Sequence, residues 1–178
     1  QLIDMIYEKY PWYTINSQDV DKRREKRPVA DIAVYTIGYE ALSVDDFLNR
    51  LLKNGIQCLV DVRNNPISRR FGFHKSTLSR LCEFLQIEYF HFPELGIPSS
   101  ERELLVVKDD YEKLFVNYRK EVLASQSKTV KNVASIFKAC PSVLVCMEAN
   151  PAYCHRTSLA HALAPVADLP IKHLEWPR

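Results

Sequence analysis

Cys146, Glu148, Cys154, His155 and Arg156 fall in one stretch, Val143 to His161, and few structural needs call for that mixture of side chains. The stretch reads as a buried strand feeding a helix through a short loop. A thiol at a helix start meets unpaired amides and the positive end of the helix dipole, which lower its pKa and attract anions. Arg156 beside Cys154 strengthens both effects. This predicts a nucleophilic or thiol-transfer site in which Cys154 or Cys146 attacks, Glu148 and His155 serve as acid and base, and Arg156 holds an anionic group. The spacing matches neither the phosphate loop of protein phosphatases nor the cysteine turn of rhodanese-like carriers.

Two other readings compete. Cys146 and Glu148 alternate on a strand and share a face, so with Cys154 and His155 they form a possible ligand set for a soft-to-borderline metal such as zinc. The bland reading makes both cysteines packing residues and Arg156 a surface charge. His161, six residues beyond His155, does not share its helix face and is read as packed or solvent-facing.

A second informative stretch runs from Asp61 to Lys75. Asp61 interrupts the apolar run Cys58 to Val62, and a buried carboxylate needs a partner, for which Arg63 is the natural choice. Beyond it Arg69, Arg70, His74 and Lys75 alternate with Phe71 and Phe73, the mixture of cations and rings that grips single-stranded nucleic acid. A mobile surface loop anchored by two aromatics explains the same residues.

The elements that position these groups follow from periodicity. Ile32 to Tyr39 is β-branched and aromatic and reads as a first strand. Ser43 to Asp46 forms a capping box with Asp in place of Glu, so a helix starts near Val44, carries Phe47, Leu48, Leu51 and Leu52 on one face, and ends at Gly55. Cys58 to Val62 is the second strand and Glu88 to Phe92 the third. Leu78, Leu81, Cys82 and Leu85 place a helix over Ser76 to Gln86. Two more helices follow, one with Tyr111, Leu114, Phe115, Tyr118 and Val122 on its apolar face, the other with Val130, Val133, Ala134 and Phe137. The fourth strand then leads into a helix from Thr157 to Ala164, and Ile171 to Leu174 makes a short fifth strand.

Strands alternating with helices predict an α/β fold with a mainly parallel, Rossmann-like sheet of about five strands and helices on both faces. In such sheets ligands bind beyond the carboxyl ends of the strands. Tyr39, Asp61, Arg63, Arg69, Glu94 and Arg156 are therefore expected to bind substrate around the catalytic candidates Cys146, Glu148, Cys154 and His155.

Composition sets the bounds. The 178 residues are 47% apolar, enough for one sizeable core. A formal charge of +2 gives no bulk attraction to nucleic acid or membrane. Five cysteines, an odd number without framework spacing, argue against a disulfide scaffold and for a reducing cytoplasm. No apolar run approaches the roughly 20 residues of a membrane helix. Residues 1–31 are expected to be an N-terminal helix (Leu2 to Tyr10) and a charged linker (Asp19 to Arg27), the remnant of an upstream domain, since the chain opens on Gln1. Residues 32–178 form the main domain.

Four motifs in order carry a resemblance: Tyr35 to Tyr39; Leu59 to Arg63 with Pro66, Ser68 and Arg69; His91 to Gly96; and Cys146 to Glu148 with Cys154 to Arg156. They resemble the YeaO-like family, domain of unknown function 488, over about Val34 to Leu174. The resemblance implies a small α/β domain in which the Cys-x-Glu and Cys-His-Arg elements form the active site. It implies no reaction and no cofactor. The expected partner is an anionic, phosphate-bearing substrate, with nucleotide or nucleic acid as the alternative and no membrane.

Overall fold

Five short apolar runs become strands: β1 Val34–Gly38, β2 Cys58–Asp61, β3 Glu88–His91, β4 Ser142–Cys146 and β5 Ile171–His173. Between and before them lie α1 Leu2–Lys9, α2 Val44–Lys53, α3 Lys75–Phe84, α4 Lys108–Asn117, α5 Ser127–Ala139 and α6 His155–Ala167. This computed structural model describes residues 2–10, 27–101 and 108–174. The charge run expected from Asp19 onward lies outside the described residues apart from Arg27, whose guanidinium donates to the carbonyls of Leu85 at 2.7 Å and Ile56 at 2.8 Å.

All strand pairings are parallel and the spatial order is β3-β2-β4-β1-β5. The fold is thus the expected α/β, Rossmann-like sheet. Successive strand residues point to opposite faces. Tyr35, Ile37, Leu59, Val143 and Val145 pack with α2 and α3 on one face, while Val34, Val60 and Leu144 pack with α5 and α6 on the other. From β1 the chain moves outward through β2 to β3, then returns to place β4 between β1 and β2. The carboxyl end of β4 therefore lies at the centre of the sheet edge, where an open α/β sheet binds its ligands.

Local signals hold where chemistry enforces them. Ser43 Oγ accepts from the Asp46 amide at 3.0 Å and donates to the Asp46 carboxylate at 2.6 Å, so α2 starts where the capping box predicts. Gly55 takes the left-handed conformation at φ 69°. The last helix is longer than expected, running from His155 to Ala167 through Pro165. The helix expected around Tyr111 changes register, as α4 passes into a π-helical segment over Tyr118–Leu123.

The expectation against disulfides is corrected at one pair. Cys58 and Cys140 are bonded, with a Cα separation of 6.7 Å across 82 residues of sequence. Sequence distance concealed the pairing: β2 and β4 are neighbours with Cys58 opposite Ser142, and Cys140 lies two residues before Ser142. Cys82, Cys146 and Cys154 are free and buried. Among the described residues no helix is long and apolar enough to cross a membrane.

Candidate functional site

Cys146 closes β4, Glu148 follows in the loop, and Cys154 is the N-cap of α6, with His155 its first residue. This strand-loop-helix unit folds back because Asn150 accepts from the Ala152 amide at 2.9 Å and starts a 3-10 turn over Pro151–Tyr153. The Thr157 hydroxyl ties that turn to the helix by donating to the Pro151 carbonyl at 2.6 Å.

The turn brings the reactive atoms together. Cys146 Sγ, Cys154 Sγ and a His155 ring nitrogen lie within 4.8 Å of one another, all buried. The Cys146 thiol donates to Glu148 Oε2 at 3.1 Å and lies 3.8 Å from His155 Nδ1. His155 Nε2 sits 3.2 Å from the Val62 carbonyl. A carbonyl only accepts, so Nε2 carries the proton, and in the neutral ring Nδ1 presents its lone pair to the sulfurs.

The electrostatics match this enclosure. Burial pushes the Cys154 thiol well above its ordinary pKa, Cys146 pushes it further, and His155 opposes them. Burial also pulls Glu148 upward, but the Cys154 thiol, its own backbone amide, the Cys146 thiol and the nearby His155 ring together leave it below its ordinary value.

Glu148 is held firmly by its backbone. Arg156, only 2% exposed, donates from one terminal nitrogen to the Glu148 carbonyl and from the other to the Ala149 carbonyl at 3.1 Å. The Ala149 amide donates to the Glu40 carboxylate at 2.9 Å. Gly38 packs against the same peptide so closely that a Cβ there would lie 1.8 Å from the Glu148 oxygen. Arg156, expected to hold an anion, is a clamp on the loop after β4, and among the described residues its Nε has no partner.

Tyr39, Asp61 and Arg63 form a separate group. Asp61 has the parity of Leu59 and Cys146 that of Leu144, so the two groups lie on opposite faces of the sheet. Arg63 donates to both oxygens of Asp61, at 2.8 and 2.5 Å, to the Tyr39 hydroxyl at 3.1 Å and to the Phe73 carbonyl at 2.8 Å. The Tyr89 hydroxyl donates to Asp61 at 2.6 Å. Burial alone would lower the Arg63 pKa, but the Asp61 contacts raise it above its ordinary value. Arg69 and Glu94 are both exposed, whereas Cys146, Cys154 and His155 are buried. His161 is exposed as well.

Two residues of the thiol group's surroundings escape the sequence reading. Tyr118 stands edge-on to the His155 ring with centroids 5.4 Å apart and donates its hydroxyl to the Leu95 carbonyl at 2.7 Å. Burial, then Cys154 and Cys146, push its pKa strongly up, so it stays a neutral wall. It opens the π-helical segment, and such segments are frequent at functional sites. Val62 contributes only its carbonyl, which no side-chain pattern reveals.

The fold and this group define a parallel α/β protein with a buried thiol-imidazole-carboxylate cluster at the carboxyl edge of its central strand. The family described as domain of unknown function DUF488 matches residues 43–163, more than half of the chain, and the chain belongs to that family. The match contains the cluster and the last three of the four motifs; the first, Tyr35 to Tyr39, lies just before it. No curated protein and no solved structure matches the chain.

Proposed function

We propose that the chain is a metal-dependent enzyme whose centre takes a zinc-class divalent cation on Cys146 Sγ, Cys154 Sγ and His155 Nδ1. The observation that carries this reading is the convergence of those three donors within 4.8 Å in a buried setting. Thiolate and imidazole suit zinc, and three protein ligands with a further position are the usual pattern of a catalytic centre. A ligating histidine commonly donates its other ring N–H to a carbonyl, and His155 does so to Val62. Binding would displace both thiol protons and with them the Cys146 hydrogen bond to Glu148. That carboxylate would remain beside the ion on the side where Met147 and Ala149 reach solvent.

A cysteine nucleophile is the second reading, favoured by the position of Cys146 between Glu148 and the bare His155 nitrogen. Burial counts against it, because Cys146 and Cys154 are each only 1% exposed. An anionic substrate in that reading needs donors other than Arg63 and Arg156, which already serve Asp61 and the loop carbonyls.

Elemental analysis of protein purified without chelator separates the two. The metal reading expects about one equivalent of zinc or a similar ion per chain, and a drop in affinity of more than about a hundredfold in Cys154→Ser and His155→Ala, beyond the usual effect of losing an outer-shell partner. Absence of metal after incubation with zinc, together with iodoacetamide labelling of Cys146 in the folded protein, would establish the nucleophile instead.

A further inference from the structure

The loop 63–75 takes no part in the thiol centre, yet it has a charge pattern of its own. Between Asp61 and Glu83 the sequence has no acidic residue, while Arg63, Arg69, Arg70, Lys75 and Arg80 fall within it. The whole chain has a formal charge of only +2, so positive charge is concentrated here and the remainder is net negative. Arg63 is used up by Asp61, Tyr39 and Phe73, but Arg69, Arg70, Lys75 and Arg80 are exposed.

Among these cations Phe71 is 86% exposed, the most exposed large apolar side chain among the described residues. The loop that presents it is fastened at many points. Arg63 donates to the Phe73 carbonyl at 2.8 Å, the Phe73 amide to the Arg70 carbonyl at 3.2 Å and the Lys75 amide to the Pro66 carbonyl at 3.1 Å. Arg70 donates from its guanidinium to the Leu42 carbonyl at 2.9 Å. Gly72, at φ 87°, separates the two rings: Phe73 is buried and stacked on Tyr39 with centroids 4.2 Å apart, and Phe71 is turned outward. A Cβ at Gly72 would meet Val44 at 2.5 Å, so both conformation and packing require glycine there. Across the Leu42 contact the first turn of α2 carries Asp45 and Asp46, and Asp46 is already bonded by the Ser43 hydroxyl at 2.6 Å.

We propose that this loop is a docking surface for single-stranded nucleic acid, with the Phe71 ring as a stacking platform and Arg69, Arg70 and Lys75 as phosphate contacts. An exposed ring on a fastened loop can stack on a base without first being ordered, and every base offers a face to stack. Cations flanking the ring, with no acid in the stretch, favour a polyanion over an acidic or neutral apolar partner. Neither the ring nor these cations belong to the thiol cluster, so the surface stands or falls independently of the metal.

The test is fluorescence anisotropy of labelled oligouridylate and oligothymidylate with the full chain across a salt series. Binding of at least one oligonucleotide is expected, weakening with salt by about 0.7 log units per log unit for each phosphate contact. Phe71→Ala should weaken it roughly fivefold or more at unchanged salt slope, while Phe71→Trp retains it. Arg69→Ala should lower the slope itself. Phe71 is exposed, so its replacement leaves the fold intact, and circular dichroism checks this. The proposal is overturned if neither oligonucleotide binds at low salt, or if Phe71→Ala binds as the wild type does. Equal affinity for a duplex, or binding to anionic phospholipid vesicles in place of oligonucleotide, overturns it as well.

Discussion

Two polar clusters sit at the same edge of the sheet, on opposite faces, and their charges are arranged in opposite ways. Around Asp61 each carboxylate oxygen meets an Arg63 nitrogen, Tyr89 adds a donor, and the remaining Arg63 donors go to Tyr39 and Phe73. That cluster is closed: cation and anion answer each other. Around Cys146 the chain gathers two thiols, a bare imidazole nitrogen and a carboxylate, all electron-pair donors once the thiols ionise. The cation nearest in sequence, Arg156, binds the carbonyls of Glu148 and Ala149 and offers no counter-charge to the sulfurs. One cluster holds the sheet edge together, and the other is organised as though a cation completes it.

The sharpest break in this comparison is Asp61→Ala. It leaves Arg63 buried without its counter-ion and Tyr89 without its acceptor, and removing one partner of a buried pair costs about 3–5 kcal/mol. Urea unfolding should show a loss of that size, with zinc affinity per folded molecule unchanged because the pair lies across the sheet. A cost below about 1 kcal/mol would mean that the Asp61 cluster is not structural.

Much of this arrangement is legible in the sequence. The strands follow from apolar runs, α2 from the Ser43 capping box, and the gathering of Cys146, Glu148, Cys154 and His155 from a strand-loop-helix reading. The Asp61 to Arg63 pairing is legible too, because a buried carboxylate demands a partner and the next side chain on its face is a cation. What the sequence conceals is lateral. Strand order is not written in a local pattern, so neither the insertion of β4 between β1 and β2 nor the Cys58 to Cys140 bond is visible. Period-two alternation with unknown strand order also hides the division of Tyr39, Asp61 and Arg63 from Cys146 and His155. Arg156 shows a further limit: spacing places a guanidinium at a helix start, but only the turn of the loop decides that it meets carbonyls and not an anion.

A milder perturbation probes the link between β1 and the thiol cluster. Gly38→Ala puts a methyl group 1.8 Å from the Glu148 carbonyl, so β1 or the loop must shift. A cost of about 1–3 kcal/mol is expected from overpacking. Because the same peptide carries Glu148, zinc affinity should fall as well, which sets this variant apart from Asp61→Ala. Thermal unfolding with and without zinc measures both effects, and an unchanged zinc-induced stabilisation would show that the loop position does not matter to the centre.

The central claim is that Cys146, Cys154 and His155 are ligands of one ion. X-ray absorption at the zinc edge of the metal-loaded protein tests it most directly. The account predicts two sulfurs at about 2.3 Å and at least one imidazole nitrogen at about 2.0–2.1 Å, with one sulfur lost in Cys154→Ser. A shell of nitrogen and oxygen alone, or one unaltered by that substitution, would contradict it.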